Sequence, residues 1–189
     1  MQVVAKRWRE ASFYLRIALF FLFISVILFF VAFPSAYWVT KTYEDKGTRI
    51  YGLWKTIRYY PWGTGNDEVE EEYNKEGIRV DTRETPLIIT GRDWYRATQA
   101  LECLALICLV LALLIMLMYF CVPACKIRSA LFGIIFFTFI AVIFIVIGVA
   151  IFGSKLHEKG FDVGWSMGLA IGGAVLAFIS GIFQILELI

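Results

Sequence analysis

Few residues of this sequence have a type and spacing that could do chemistry. The chain contains four cysteines and one histidine, and Cys121 and Cys125 have a spacing that resembles half of a zinc site. No second pair of cysteine or histidine ligands is present to complete such a site, so we expect no metal and no cofactor. His157 has no cysteine or serine that the sequence places beside it. The sequence therefore predicts a protein that is not an enzyme.

Glu102 is the one acidic residue set well inside an apolar run of the sequence. A carboxylate in hydrocarbon is costly, which makes such a residue a candidate for function. One alternative is that Glu102 binds a basic group of a partner or pairs with another group in the same half of the membrane. The other alternative, which we favour, is a structural glutamate near the membrane interface that is protonated or hydrogen-bonded.

Four apolar runs must position these residues. Hydrophobic residues make up 60% of the chain, more than is usual for a soluble domain. Each run has about 20 residues or more, the length needed to cross a hydrocarbon core of about 30 Å. The net charge of +2 is too small to indicate nucleic-acid binding. We expect a single four-span membrane domain over residues 1–189, with spans at about Leu15–Tyr37, Ala97–Phe120, Ala130–Phe152 and Trp165–Leu188.

Basic residues flank the first span and the turn at 121–129. By the positive-inside rule, both of these flanks should be cytoplasmic. We therefore expect a multi-pass protein of the plasma membrane, with both termini in the cytoplasm and with loops 38–96 and 153–164 outside. The basic residues concerned are Lys6, Arg7, Arg9, Arg16, Lys126 and Arg128.

Cys121 and Cys125 then lie at the cytoplasmic edge of the membrane, where reversible S-palmitoylation acts. The sequence leaves palmitoylated and inert thiols equally open. The first outer loop contains no cysteine, so no disulfide is expected in that loop.

The first outer loop has the composition of a small antiparallel sheet. Arg49–Tyr60 and Ile78–Val80 are rich in β-branched and aromatic residues, and Ala36–Tyr43 and Thr85–Thr90 are weaker candidates for strands. The acidic run from Asp67 to Glu72 favours a solvated loop, although it could also line a cation path or bind a basic partner.

Small residues recur at four-residue spacing along the fourth span. Such stripes let helices approach closely, because van der Waals contact must hold helices together in lipid. We favour packing inside the bundle over contact between copies of the chain. One stripe contains Gly164, Gly168 and Gly172, and the other contains Gly173, Ala177 and Gly181.

Several motifs resemble the claudin superfamily, which includes claudins, peripheral myelin and epithelial membrane proteins, and stargazin-like subunits. Trp38 follows the first span, and Gly52-Leu53-Trp54 comes soon after it. Arg96 stands just before the second span, as an arginine does in claudins, and Gly164-Trp165-Ser166 opens the fourth span. The resemblance covers the whole architecture, although the specific motifs amount to a handful of residues.

The resemblance implies an all-α transmembrane fold, a left-handed four-helix bundle with a small extracellular antiparallel β-sheet. It also implies contacts with the lipid bilayer and with other membrane proteins, and no small-molecule substrate. The expected function is claudin-like cell–cell adhesion or membrane organisation. The alternative is an auxiliary, stargazin-like subunit of an ion channel or receptor. The short second outer loop, and the end of the chain at Ile189 without a cytoplasmic scaffold tail, weaken the adhesion interpretation.

The first outer loop departs from the family at one position. Family loops have a cysteine three residues after the tryptophan of the Gly-Leu-Trp motif, and here that position is Ile57. We expect aromatic side chains of the loop to replace the missing disulfide, and we expect Leu53 and Trp54 to turn down onto the helix ends as an anchor. The aromatic side chains concerned are Trp54, Tyr59, Tyr60 and Trp62.

Overall fold

A computed structural model describes residues 12–43, 47–60, 79–84, 93–122, 128–157 and 160–189. Four of its helices are long and apolar enough to cross a membrane, and a sheet follows the first of them. The predicted fold class, four membrane helices with a small antiparallel sheet, is confirmed. In chain order the elements are α1 (Phe13–Ala32), β1 (Val39–Tyr43), β2 (Gly47–Tyr51), β3 (Lys55–Tyr60), β4 (Arg79–Glu84), α2 (Asp93–Cys121), α3 (Arg128–His157), β5 (Asp162–Val163) and α4 (Trp165–Leu188).

The first helix ends earlier than the apolar run that contains it. The structure ends α1 at Ala32, whereas the sequence predicted a span to Tyr37. Pro34 has no backbone N–H with which to continue the helix. The indole nitrogen of Trp38 donates a hydrogen bond of 2.9 Å to the carbonyl of Ala32, one of the carbonyls that a helix end leaves free.

The sheet is antiparallel, with strand order β4-β3-β2-β1-β5. The prediction of one strand over Arg49–Tyr60 is wrong, because Gly52-Leu53-Trp54 forms the turn between β2 and β3. Ile57, at the position where the family resemblance implies a cysteine, pairs with Ile50 on one side and Thr82 on the other. Thr85–Thr90 and the acidic run from Asp67 to Glu72 lie outside the described residues.

The fifth strand comes from the second loop and was not predicted. Val163 of β5 pairs with Val39 of β1, and Asp162 pairs with Thr40. A strand of two residues has little sequence signal of its own, so only the pairing with β1 defines it. The sheet therefore joins both loops at one end of the bundle, which we call the sheet end.

Within the bundle, α1 packs mainly on α4, and α2 packs mainly on α3. Two hydroxyl groups link α1 and α4 inside the bundle. Ser25 donates to the carbonyl of Gly173, and Ser180 donates to the carbonyl of Ala18, each at 2.7 Å. These bonds need close helix backbones, which small residues permit.

Candidate functional site at the seam between sheet and bundle

The turn between β2 and β3 rests on the sheet end of α2. The carbonyl of Leu53 accepts a hydrogen bond of 2.7 Å from the side-chain amide of Gln99. The hydroxyl of Tyr95 lies 3.1 Å from the same carbonyl and also bonds the carbonyl of Gly52. Tyr95 and Gln99 are four residues apart and therefore share one face of α2. We call these four residues the hairpin seat.

The hairpin seat is tightly packed as well as hydrogen-bonded. Leu53 is fully buried. A Cβ atom on Gly52 would lie 2.5 Å from both the Cα of Ala36 and the carbonyl oxygen of Ser35. Both neighbours are backbone atoms in the link between α1 and β1, so they cannot move aside as a flexible side chain could. Glycine at position 52 is therefore what allows the turn to approach this link.

Aromatic rings fill the space beneath the sheet. Phe152, near the sheet end of α3, has its ring centroid 5.5 Å from that of Trp38, 5.8 Å from that of Tyr95 and 6.2 Å from that of Trp94. We call these four residues the aromatic cluster. Edge and tilted ring contacts of this kind add about 0.5–1.5 kcal/mol each beyond the area that they bury.

The aromatic residues that the sequence singled out make other contacts. The ring of Trp54 lies 5.3 Å from that of Phe33, and the hydroxyl of Tyr59 lies 3.3 Å from that of Tyr37. Both contacts are made with the chain just after α1. Trp62 lies outside the described residues, as does the side chain of Tyr60. In the described residues, the aromatic cluster beneath the sheet thus draws mainly on the helices.

The start of α4 is tied to the same link after α1. The N–H of Gly164 donates to the carbonyl of Trp38 at 2.8 Å, and that of Ser166 donates to the carbonyl of Tyr37 at 3.2 Å. The hydroxyl of Ser166 donates to that of Ser35 at 2.6 Å. A Cβ atom on Gly164 would overlap the carbonyl oxygen of Tyr37. We call the hairpin seat, the aromatic cluster and these ties to the start of α4 together the seam. Its closest backbone approaches are possible because residues 52 and 164 are glycines.

The second loop is held to the sheet by Phe161. This buried ring packs edge-on against that of Tyr51 at 5.3 Å, and the ammonium group of Lys41 lies 5.3 Å from its centroid. A cation at this distance is attracted by the ring face. The second loop is thus part of the sheet rather than a separate surface.

The hydroxyl pair of Tyr37 and Tyr59 changes the acidity of Tyr59. The hydrogen bond with Tyr37, then partial burial, and then the charge that Tyr37 can carry together raise the pKa of Tyr59 to about 12. Tyr59 therefore remains neutral at pH values where a free tyrosine ionises.

Other residues that the sequence singled out are more exposed than those of the hairpin seat. Arg96 is exposed in the first turns of α2. The exposed ring of Trp165 lies 5.9 Å from that of Tyr37. A Cβ atom on Gly168 or on Gly172 would have no atom within 4 Å. Cys121, the last residue of α2, is exposed and forms no disulfide, and Cys125 lies outside the described residues.

Glu102 is buried in the contact between α2 and α3. Its side chain is fully inaccessible, and neither carboxyl oxygen has a hydrogen-bond partner within the described part of the chain. A Cβ atom on Gly148 of α3 would overlap this carboxyl group, so glycine makes the room for it. In this conformation Glu102 does not reach a surface where a partner could bind it.

Three residues of the seam were not predicted from the sequence, namely Tyr95, Gln99 and Phe152. Gln99 had a usable signal, since it is a polar residue inside a predicted span and lies one turn from Tyr95. Phe152 had none, because it is one of seventeen phenylalanines and most of the others lie in the same apolar runs.

The fold and the seam define a four-span membrane protein whose two loops form one sheet at the end of a helix bundle. The family model of the PMP-22/EMP/MP20/Claudin family matches residues 11–184. The chain belongs to this family of non-enzymatic membrane proteins, and the resemblance seen in its Gly52-Leu53-Trp54 motif is confirmed. A comparison with curated proteins found no match.

Proposed function

We propose that this protein acts through protein–protein contacts of its sheet, as a claudin-like adhesion or membrane-organising protein of the plasma membrane. Both termini are then cytoplasmic, and the sheet is extracellular. The proposal rests on the seam. The sheet is bonded to the link after α1, to α2 through Leu53 and to the start of α4 through Gly164.

A sheet held in this way is suited to binding. Ordering a mobile loop on contact costs free energy, and a surface that is already in place avoids part of this cost. The same bonds connect a contact made on the sheet to the helices. Adhesion and lateral organisation both need such a connection between the outer surface and the membrane.

Cell aggregation tests the adhesion proposal. We expect cells that express the protein to cluster, or to concentrate it where they touch. Reversing the acidic charges from Asp67 to Glu72 should change the clustering, since these residues lie in the proposed extracellular loop. Glu187→Lys, at the far end of the bundle, is the control and should leave clustering unchanged. The adhesion proposal fails if expressing cells neither cluster nor enrich the protein at contacts.

The second candidate function is that of an auxiliary subunit, and the outward face of α4 favours it. Gly168 and Gly172 lie on α4 with open space around them. An apolar groove of about 490 Å³ between α3 and α4 is lined on α4 by Ile171 and Val175, each three residues after one of these glycines. Small residues beside an apolar groove would let a helix of a larger channel or receptor approach closely.

Purification in mild detergent followed by mass spectrometry tests this alternative. A stoichiometric complex with a larger membrane protein would favour the auxiliary role and count against adhesion. The double variant Gly168→Leu and Gly172→Leu should then lose that partner. Gly133→Leu is the matched control, because a Cβ atom on Gly133 of α3 also has no atom within 4 Å. If both variants keep the partner, the α4 face is not the contact.

We also propose that the thiols at the far end of the bundle are S-palmitoylated. The support is that Cys121 is exposed at the last residue of α2, where an acyl chain could enter the adjacent leaflet. Acyl-exchange labelling of the wild-type protein should detect the modification, and Cys121→Ser with Cys125→Ser should abolish it. Equal labelling of the wild type and of this variant would rule it out.

A further inference from the structure

Glu102 lies in an enclosed position between two helices. Gly148 faces it from α3, and Phe152 follows one turn closer to the sheet end on that helix. On α2, Gln99 and Tyr95 lie at successive turns on the same side and belong to the hairpin seat. The carboxyl group is therefore separated from the sheet surface by the aromatic cluster and by the seat.

No charged group among the described residues faces this carboxyl. The sheet-side half of α1 contains no titratable residue, and neither does that of α4. On α3 the titratable residues nearest in sequence are Lys155 and His157, beyond Phe152 at the exposed end of the helix. On α2 itself the titratable residues nearest in sequence are Cys103, Cys108, Arg96 and Tyr95. Arg96, the one cation among them, is exposed, whereas the carboxyl group is fully buried.

An unpaired carboxylate in such a place is costly. Transferring an ionised carboxyl group without a partner into an apolar medium costs far more than transferring the neutral acid. The absence of a hydrogen-bond partner in the described residues and the room left by Gly148 both fit a neutral carboxylic acid. An anion there would need water or a separation of α2 from α3.

We propose that Glu102 is a proton-binding site that holds its proton while α2 and α3 are in contact, and that loss of this proton loosens their contact and the hairpin seat above it. The ligand is a hydrogen ion, and the site is a single carboxyl group against Gly148. Since the unfolded chain ionises Glu102 at neutral pH, the folded state holds one more proton. The free energy of unfolding therefore falls as the pH rises from the range where the unfolded chain ionises Glu102 to the range where the folded protein releases its proton, and above that range this contribution is lost.

Infrared spectroscopy of the purified protein in a detergent without ester groups tests the protonation. A neutral carboxylic acid has a carbonyl stretching band that carboxylates lack. We expect this band in the folded wild-type protein at pH 7, its loss in Glu102→Gln, and its retention in Asp162→Asn, which changes an exposed acid of β5. If Glu102→Gln does not fold, the comparison of folded and unfolded wild-type protein tests the protonation instead. The band must then disappear when the wild-type protein is unfolded at the same pH. Absence of the band from the folded wild type overturns the proposal.

Hydrogen exchange tests the coupling to the sheet. In the wild type, protection of residues 50–56, corrected for the intrinsic effect of pH, should decrease between pH 7 and pH 10. In Glu102→Gln, which has the same shape and no ionisable group, this decrease should be much smaller. Equal decreases in the two proteins would overturn the coupling. Wild-type protection that does not change with pH would overturn it as well.

Discussion

Gly164 and Gly168 share one stripe of α4 and have opposite surroundings. Gly164 lies in the seam, where a Cβ atom would overlap the backbone of Tyr37, whereas one on Gly168 would have no atom within 4 Å. Gly172, one turn further, is as open as Gly168. Four-residue spacing shows that small residues share a helix face, but it does not show what meets that face.

The second stripe adds a third kind of surrounding. A Cβ atom on Gly173 would lie 3.3 Å from the carbonyl oxygen of Ser25, and one on Gly181 would lie 2.9 Å from the ring of Phe139. These glycines pack inside the bundle, as we expected of both stripes. The open part of the first stripe is an exception to that expectation. In the seam there is thus no room for a side chain at a glycine, whereas on the open face there is.

Removing the side chain of Leu53 should have the largest effect, because it is fully buried in the seam. We expect Leu53→Ala to lower the free energy of unfolding by about 2–5 kcal/mol, the usual range for a buried leucine. Thermal unfolding in detergent measures this loss of stability. Leu114→Ala is the control, because Leu114 on α2 is 52% exposed. Similar losses in the two variants would contradict the importance of the seam.

Adding one methyl group to each of the two glycines compares the regions directly. Gly164→Ala should lower the free energy of unfolding by about 1–3 kcal/mol, because the methyl group must displace backbone. Gly168→Ala should leave it unchanged or raise it by up to about 1 kcal/mol, since alanine favours helix more than glycine does. The difference between the melting temperatures of the two variants checks both expected changes. A stable Gly164→Ala protein would remove the distinction between seam and open face.

Breaking one hydrogen bond of the hairpin seat should have a smaller effect. Gln99→Leu removes the donor to the Leu53 carbonyl and should cost about 1–2 kcal/mol. Thr98→Val is the control, since it removes only a bond to the Trp94 carbonyl within the same helix. Hydrogen exchange should show lost protection at residues 50–56 in Gln99→Leu alone. Equal loss in both variants would mean that the hydrogen bond from Gln99 does not hold the turn.

The pair of Tyr37 and Tyr59 should give the smallest effect, because Tyr59 is partly exposed. The pKa of Tyr59 is raised from 10.0 to about 12, so the folded state keeps a proton that the unfolded state releases. This contribution to stability is fully present below pH 10 and is lost as the pH rises towards 12. Melting temperatures across this range should fall less steeply for Tyr59→Phe than for the wild type. Parallel curves would contradict the raised pKa.

Much of the fold could be predicted because its signals are local. Each apolar run is long enough to span a membrane, and the first loop has strand composition. The bounds could not be predicted so well, since α1 stops at Ala32 while the apolar run continues past Pro34. The single strand over Arg49–Tyr60 was wrong for a similar reason. Propensity does not show where Gly52 turns the chain, because its contacts with Ser35 and Ala36 are tertiary.

The candidate site was less predictable than the fold. An apolar Leu53 in a polar loop indicated an anchor, but the groups that receive it, Tyr95 and Gln99, are more than forty residues away along the chain. Glu102 stood out by its type, and nothing in the sequence paired it with Gly148. The handedness of the bundle and the side of the membrane that the sheet faces stay predictions.

The sequence by itself determined that this chain crosses a membrane four times, presents a sheet and belongs with proteins of the Gly-Leu-Trp motif. Hydropathy and composition suffice for the spans and the sheet, since transfer into lipid depends on residue type over a short window. The family resemblance rests instead on the motif residues themselves. Only the tertiary structure decided which glycines are confined and which are open, and that Glu102 is enclosed. Those properties depend on distances between helices that are far apart in sequence. Whether a Cβ atom added to a glycine meets backbone or open space depends on those distances. The spacing of residues along the sequence does not contain them.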